Sequence, residues 1–155
     1  MKIEKSLFKI SISETIIFLL FCLVSLNAII AVTSVLIGKP GFVLSETGWI
    51  SQLVFPAVYA IMYTSINRNG VLHLTEFDDA GTVIRQIESI LLKKGYSAVG
   101  ANPEDINYTK STAIGRFFNY FFREDSNVKV TRNTVLIFGK RNLLTSIEWN
   151  LKNSK

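Results

Sequence analysis

The residues most capable of chemistry in this sequence are few, and their spacing matches no catalytic or metal-binding pattern. His73 is the single histidine and Cys22 the single cysteine among 155 residues. Neither has a Cys, His or carboxylate neighbour at metal-ligand spacing, and one cysteine permits no disulfide within the chain. Cys22 lies in an apolar run, where a cysteine usually serves as a small packing residue. We therefore predict no catalytic residue, no metal site and no cofactor.

Three pairs of acidic residues remain, and general acid–base chemistry would require carboxylates that converge in one pocket. Asp78-Asp79 and Glu104-Asp105 each precede a predicted element, so capping or turn formation explains them, and Glu124-Asp125 marks a loop. The sequence has no glycine-rich phosphate loop and no Gly-x-Ser-x-Gly motif. These features predict that the protein is not an enzyme. The weaker alternative is an enzyme whose acids act close to lipid.

The most distinctive stretch of residues 71–155 is Arg116-Phe-Phe-Asn-Tyr-Phe-Phe-Arg123. On a helix its aromatic side chains would cover more than one face, with an arginine at either end. The stretch is either a core helix built from large aromatics or an element that rests on a lipid leaflet or a partner, with arginine near lipid phosphates. Lys140-Arg141, at the start of the last predicted helix, is either a solvated pair or a contact for an anion or an acidic partner.

Two long uncharged stretches must position these residues. Thr15–Gly38 and Thr47–Asn67 contain no Asp, Glu, Lys or Arg. About 20 apolar residues at about 1.5 Å each match a hydrocarbon layer of about 30 Å. We predict an integral membrane α-helical hairpin over 15–67, with two transmembrane helices at about 16–37 and 49–66 and a short outer turn at 38–48. The first run is too long for a signal-peptide core and lacks an Ala-x-Ala site, so we expect an uncleaved anchor.

Two intramembrane polar residues, Asn27 and Gln52, stand out within the predicted spans. An amide in lipid is costly without a partner, so Asn27 is expected to face the second span or another chain. Trp49 fits the aromatic belt at the outer interface.

The distribution of basic residues predicts the orientation. Only Lys39 of the 17 Lys and Arg residues falls in the outer turn. The positive-inside rule therefore places both termini in the cytoplasm, which gives a multi-pass protein of the cytoplasmic (inner) membrane. The small size and the lack of processing signals favour a bacterial source.

Residues 1–14 are predicted to form a basic amphipathic flank. On a helix, Ile3, Leu7 and Ile10 would share a face. The segment is then either a short helix lying on the membrane or a basic flank that sets orientation. Its lysines are Lys2, Lys5 and Lys9.

Residues 71–155 have an ordinary soluble composition, with 12 Lys and Arg against 9 Asp and Glu, a net charge of +3. This charge is far below that of a nucleic-acid-binding domain, so no nucleic-acid partner is expected. Alternation and helical periodicity predict a small cytoplasmic α+β domain with an antiparallel sheet. The expected elements are strands at 71–77, 96–100, 105–110 and a pair within 127–138, and helices at 81–94, 112–122 and 142–151.

The missing catalytic set favours a binding module that engages a partner protein at the cytoplasmic face, as an accessory or regulatory subunit or an immunity-type protein. The alternative is a protomer of a homo-oligomeric pore or transporter, because two spans per chain cannot enclose a path. The lipid bilayer is the other expected partner. The candidates for contact with the membrane interface or the partner are Lys2, Lys5, Lys9, Trp49, Arg116, Phe117, Phe118, Phe121, Phe122, Arg123, Lys140 and Arg141.

Overall fold

The computed structural model describes residues 1–38, 48–100, 102, 104–122 and 124–153, with the backbone alone described at 48–51, 120 and 121. The chain divides into two compact units. The folded domain combines Met1–Lys9 with Asn67–Lys155, and the apolar helix pair comprises Ile10–Ile66. Most of the predicted outer turn, 39–47, lies outside the described residues.

The apolar helix pair consists of α1 (Ile12–Ile37) and α2 (Gly48–Ile66). The first turns of α1 lie against the last turns of α2. The hydroxyl of Thr15 donates to that of Thr64 over 3.1 Å, and the rings of Phe18 and Tyr63 stack with centroids 4.0 Å apart. Since the start of one helix contacts the end of the other, α1 and α2 run antiparallel.

Only the first of the two predicted spans is confirmed in length. The helix α1 is long and apolar enough to cross a membrane, and the described residues contain no second helix that passes the same test. The second apolar segment with described side chains, Gln52–Ile66, is shorter. Asn27 is exposed on α1 and donates its amide to the carbonyl of Leu23 on the same helix, 2.7 Å away. Asn27 therefore does not pack against the described part of the second helix, and the other expectation, contact with another chain, stays a prediction.

The folded domain is built on a six-stranded antiparallel sheet, which confirms the predicted α+β class with an antiparallel sheet. The strand order is β1-β2-β6-β5-β4-β3. The strands are β1 (Lys2–Leu7), β2 (Asn69–Thr75), β3 (Tyr96–Val99), β4 (Asp105–Lys110), β5 (Ser126–Thr131) and β6 (Thr134–Lys140). The helices are α3 (Ala80–Lys93), α4 (Ala113–Phe122) and α5 (Arg141–Asn153).

A single hydrophobic core lies between one face of the sheet and the helices α3 and α5. Alternate residues of the central strands point into it, and the apolar stripe of each helix closes it, as the period of each element requires. The most deeply buried members are Leu72, Leu74, Ile87, Leu91, Val128, Val135, Ile137, Leu144 and Ile147.

The amino-terminal end of α3 follows the predicted capping chemistry, and a glycine follows its carboxyl end. The carboxylate of Asp79 accepts the amides of Gly81 and Thr82 at 3.0 and 2.9 Å. Gly95 has φ +75° directly after the helix, a conformation that L side chains rarely adopt. Asp79 is therefore a structural cap, as the sequence predicted.

The amino-terminal segment is a strand, so the alternative of a short helix lying on the membrane is wrong, and the alternative of a basic flank that sets orientation stays a prediction. Residues Lys2–Leu7 form β1 and pair with β2 at the edge of the sheet. Ile3 packs against the core, and Lys5 on the same face bonds to Glu148 of α5. Ile3 and Leu7 are four residues apart, a spacing that fits both the helical period and the strand period. The flank 1–14 is therefore not one amphipathic unit, and its first nine residues belong to the folded domain.

Candidate functional site

The chain leaves the folded domain and returns to it at the same end of the sheet. Leu7, at the end of β1, pairs with Gly70 near the start of β2, and the amide of Phe8 donates to the carbonyl of Asn69 over 2.9 Å. The register of the other strands places the end of β6, the start of β5, the end of β4 and the start of β3 at this same end of the sheet. We call the end formed by Leu7, Asn69, Lys140, Ser126, Lys110 and Tyr96 the exit end.

Hydrogen bonds connect the loops at the exit end. The amide of Arg141 donates to the carbonyl of Arg68 over 2.9 Å, and the amide side chain of Asn142 reaches that of Asn67 at 2.5 Å. The amide of Ser111 donates to the carbonyl of Gly95 over 2.9 Å. These hydrogen bonds hold the loop backbones in place, and with them the Cα positions of the charged residues in the loops.

Basic residues gather at the exit end. Its basic residues, taken from strand ends, loops and the adjoining helix turns, are Lys9, Arg68, Lys93, Lys94, Lys110, Arg116, Lys140 and Arg141. Among the described residues of these connections, the acids are Glu124 and Asp125, and Glu124 lies 3.9 Å from the ammonium of Lys110. The strand ends and loops at the opposite end of the sheet contain Glu76, Asp78, Asp79, Glu104 and Asp105 against Lys2 and Arg132. The folded domain is therefore electrostatically polarised along its strands.

The helix α4 adds apolar surface to the exit end, because it connects the end of β4 to the start of β5 there. Asn119 is buried, and its amide donates to Thr109 at 3.2 Å and to Asp125 at 2.5 Å, which binds the helix to the sheet. Ile114 is 73% exposed and Phe117 is 59% exposed. A helix that presents large apolar side chains beside basic groups has the composition of an interfacial element.

The structure brings together some of the predicted contact residues and separates others. The described candidates near the exit end are Lys9, Arg116, Phe117, Phe118, Phe122, Lys140 and Arg141. Lys2 lies at the opposite end, paired with Thr75, and Lys5 binds Glu148 at 2.6 Å. Arg123 lies outside the described residues, as do the side chains of Trp49 and Phe121, while Gln52 is partly exposed on α2.

The side chains that could bind a metal ion do not converge in the described parts of the chain. No group of three His, Cys, Asp or Glu side chains there is close enough to hold a metal ion. A hydrogen bond from the hydroxyl of Thr82, with the amides of Gly81 and Thr82, keeps the pKa of Asp79 below its usual value. A hydrogen bond from the amide of Asn127, assisted by Lys129, does the same for the pKa of Asp105. Both carboxylates therefore act as structural acceptors.

Sequence reasoning missed Trp149, which is 65% exposed on α5. A signal was present, because the core residues Leu144, Ile147 and Leu151 define one face of the helix and position 149 falls off it. It also missed Lys93, Lys94 and Arg68, whose grouping depends on the strand register.

Comparison of the chain with protein-family models, with curated proteins and with solved structures gives no match.

Proposed function

We propose that the protein is a membrane-anchored, non-enzymatic binding module of the inner membrane. In this proposal α1 crosses the bilayer outward, α2 crosses back, and both termini lie in the cytoplasm. The folded domain then engages a partner protein at the cytoplasmic face, as an accessory or regulatory subunit or as an immunity-type protein.

The observation that carries the proposal is the pairing of β1 with β2. The chain leaves the folded domain after Lys9 and re-enters it at Asn67, and Leu7 and Gly70 are neighbours in the sheet. A chain that begins and ends an apolar excursion at one point must cross a bilayer an even number of times. If α1 crosses, α2 is the segment available for the return.

The dimensions of α2 are compatible with a return crossing. Its 19 residues correspond to about 28 Å at about 1.5 Å per residue. A helix slightly shorter than the hydrocarbon layer is accommodated by local thinning of the bilayer at modest cost. Basic residues at the exit end then lie on the cytoplasmic side, as the positive-inside rule requires.

Trp149 is the residue that we propose as the anchor for a partner protein. Tryptophan is enriched among residues that dominate binding energy at protein interfaces. Its indole lies on the outward side of α5, away from the core residues Ile147 and Leu151. The other large apolar residues of α5 are buried in the core, whereas this exposed indole is accessible to a partner.

The topology is tested by labelling single cysteines with a membrane-impermeant maleimide in intact cells. Cys22→Ala removes the only cysteine and gives the background. Asn133→Cys, in the exposed β5–β6 turn, should react only after the cells are permeabilised. Ser45→Cys, in the outer turn predicted from the sequence, should react in intact cells. Labelling of Asn133→Cys from outside, or of neither site before permeabilisation, would contradict the two-crossing arrangement.

The binding role is tested by purifying the full-length protein from its native membrane in mild detergent after crosslinking. The wild type should carry a stoichiometric partner, Trp149→Ala should lose it, and Trp149→Phe should keep most of it. Recovery of a solely monomeric wild-type protein, or equal recovery with Trp149→Ala, would reject this surface.

A second candidate, the homo-oligomeric pore or transporter, is favoured by Asn27. Its amide is exposed midway along α1, where a polar side chain in lipid promotes helix association. The molecular mass in detergent separates the two functions, because the pore requires a defined homo-oligomer that Asn27→Leu dissociates.

A further inference from the structure

We propose that the exit end, together with α4, docks on anionic phospholipid headgroups of the leaflet from which the helices depart. This inference rests on the proposed function and names a ligand for the domain beyond the partner protein. The contact is electrostatic, through the basic residues of the exit end, and apolar, through the exposed side chains of α4.

Charge complementarity supports anionic lipid as the occupant. Lys93 and Lys94 are exposed at the end of α3, and Lys9, Arg116 and Arg141 are exposed on three other segments of the same end. These five side chains come from four separate chain segments, so one flat, negatively charged surface contacts them better than a single bound ion does. Each basic residue next to an anionic leaflet raises the ratio of docked to undocked domain by about fivefold.

Chain connectivity supports the same occupant. Lys9 and Asn67 are the residues from which the apolar segment departs. In the proposed arrangement these residues lie at the membrane surface, and the remaining basic groups of the exit end share their end of the sheet. The acidic residues Asp78 and Asp79 lie at the opposite end, where repulsion from anionic lipid is least.

The apolar part of the contact is provided by α4. Ile114 and Phe117 are three residues apart and therefore lie on one side of the helix, and both are more than half exposed. The guanidinium of Arg116 adjoins them in sequence and is suited to phosphate oxygens. An amphipathic helix of this kind lies in the headgroup plane with its apolar side facing the acyl chains.

The test uses the full-length Cys22→Ala protein in nanodiscs of phosphatidylcholine alone or mixed with phosphatidylglycerol. A bimane label on Ile114→Cys reports polarity at α4, and the same label on Asn133→Cys reports the opposite end. We expect a blue shift and quenching by nitroxide lipids at position 114 in the anionic discs, weakened by salt, and no change at position 133.

Charge variants identify the groups responsible. Lys93→Glu/Lys94→Glu should lower the ratio of docked to undocked domain, reported at position 114, by at least about tenfold, since two favourable contacts become repulsive. Lys2→Glu/Arg132→Glu makes the same charge change at the opposite end and should leave docking unchanged. Arg116→Gln, a milder variant, guards against misfolding of the double variant, which is checked by circular dichroism.

Bimane spectra at position 114 that are identical in the two lipid mixtures would overturn the inference. This result is also expected if an acidic protein segment, and not lipid, occupies the exit end. Equal loss of docking in the two double variants would overturn it as well. The cysteine-labelling topology does not depend on lipid charge, so an intact topology without docking rejects this inference alone.

Discussion

The two units of this protein distribute the same residue types in opposite ways. In the folded domain Leu72, Ile137 and Leu144 are 0% exposed, whereas Val35 and Leu36 on α1 are 80% exposed. A water-soluble unit buries its large aliphatic side chains, and contiguous apolar surface on this scale marks a membrane or protein contact. The comparison shows that one chain contains a unit that buries its large aliphatic side chains and a unit that exposes many of them.

Two leucines provide the largest expected difference between the units. Leu144→Ala removes a fully buried side chain and should lower the free energy of unfolding of the folded domain by about 2–5 kcal/mol. Leu36→Ala, on the exposed side of α1, should change it by less than about 0.5 kcal/mol. Urea denaturation in detergent, followed by hydrogen exchange of β6, measures both. Similar effects would show that the units are not energetically distinct.

A charge placed on each unit tests which solvent it contacts. Val24→Lys introduces an ammonium midway along the exposed side of α1 and should oppose membrane integration by about 2.5–3.5 kcal/mol. Val99→Lys, at an exposed position of β3, should have no effect on integration. Alkaline extraction of membranes gives the integrated fraction. If Val24→Lys stays integrated like the wild type, α1 does not contact hydrocarbon at that position.

The predictability of the two units from sequence differs for a physical reason. The elements of the folded domain after Asn69 lie close to their predicted bounds, because apolar spacing and caps such as Asp79 and Gly95 are local signals. The strand β1 was missed because a spacing of four residues fits two periods. The grouping of Lys93 with Lys140 at the exit end was not predictable, because it depends on the register between distant strands.

The pairing of β1 with β2 is expected to depend on Gly70. A Cβ at this position would lie 2.6 Å from the carbonyl of Ser6 and 2.8 Å from the side chain of Leu7. Gly70→Ala should therefore displace β1 and cost about 1–3 kcal/mol. Gly81→Ala is the matched control, because its nearest contact would be an ordinary 3.4 Å from Asp79.

Hydrogen exchange resolved by segment measures the effect at Gly70. The amides of β1 should lose protection in Gly70→Ala and keep it in Gly81→Ala. If β1 remains fully protected in Gly70→Ala, the strand tolerates the methyl group. The claim that close backbone packing joins the two ends of the apolar segment would then be wrong.

The smallest expected effect concerns a polar group in the domain core. Burial, with the carboxylates of Glu124 and Asp125, raises the pKa of Tyr96 from its ordinary 10 to about 12. The unfolded chain therefore loses this proton at a lower pH than the folded domain does. The stabilising contribution is complete below about pH 10 and is lost progressively between about pH 10 and pH 12.

Tyr96→Phe removes this titration and leaves the ring in place. The difference in free energy of unfolding between wild type and Tyr96→Phe should be constant below about pH 10, and the wild type should then lose stability faster as the pH rises. Lysine deprotonation affects both proteins equally, so it does not contribute to the difference between their free energies of unfolding. Urea denaturation of the full-length protein at several pH values measures it. Parallel curves up to pH 12 would mean that the Tyr96 hydroxyl reaches water, and that the core closes less tightly at the exit end than its buried leucines indicate.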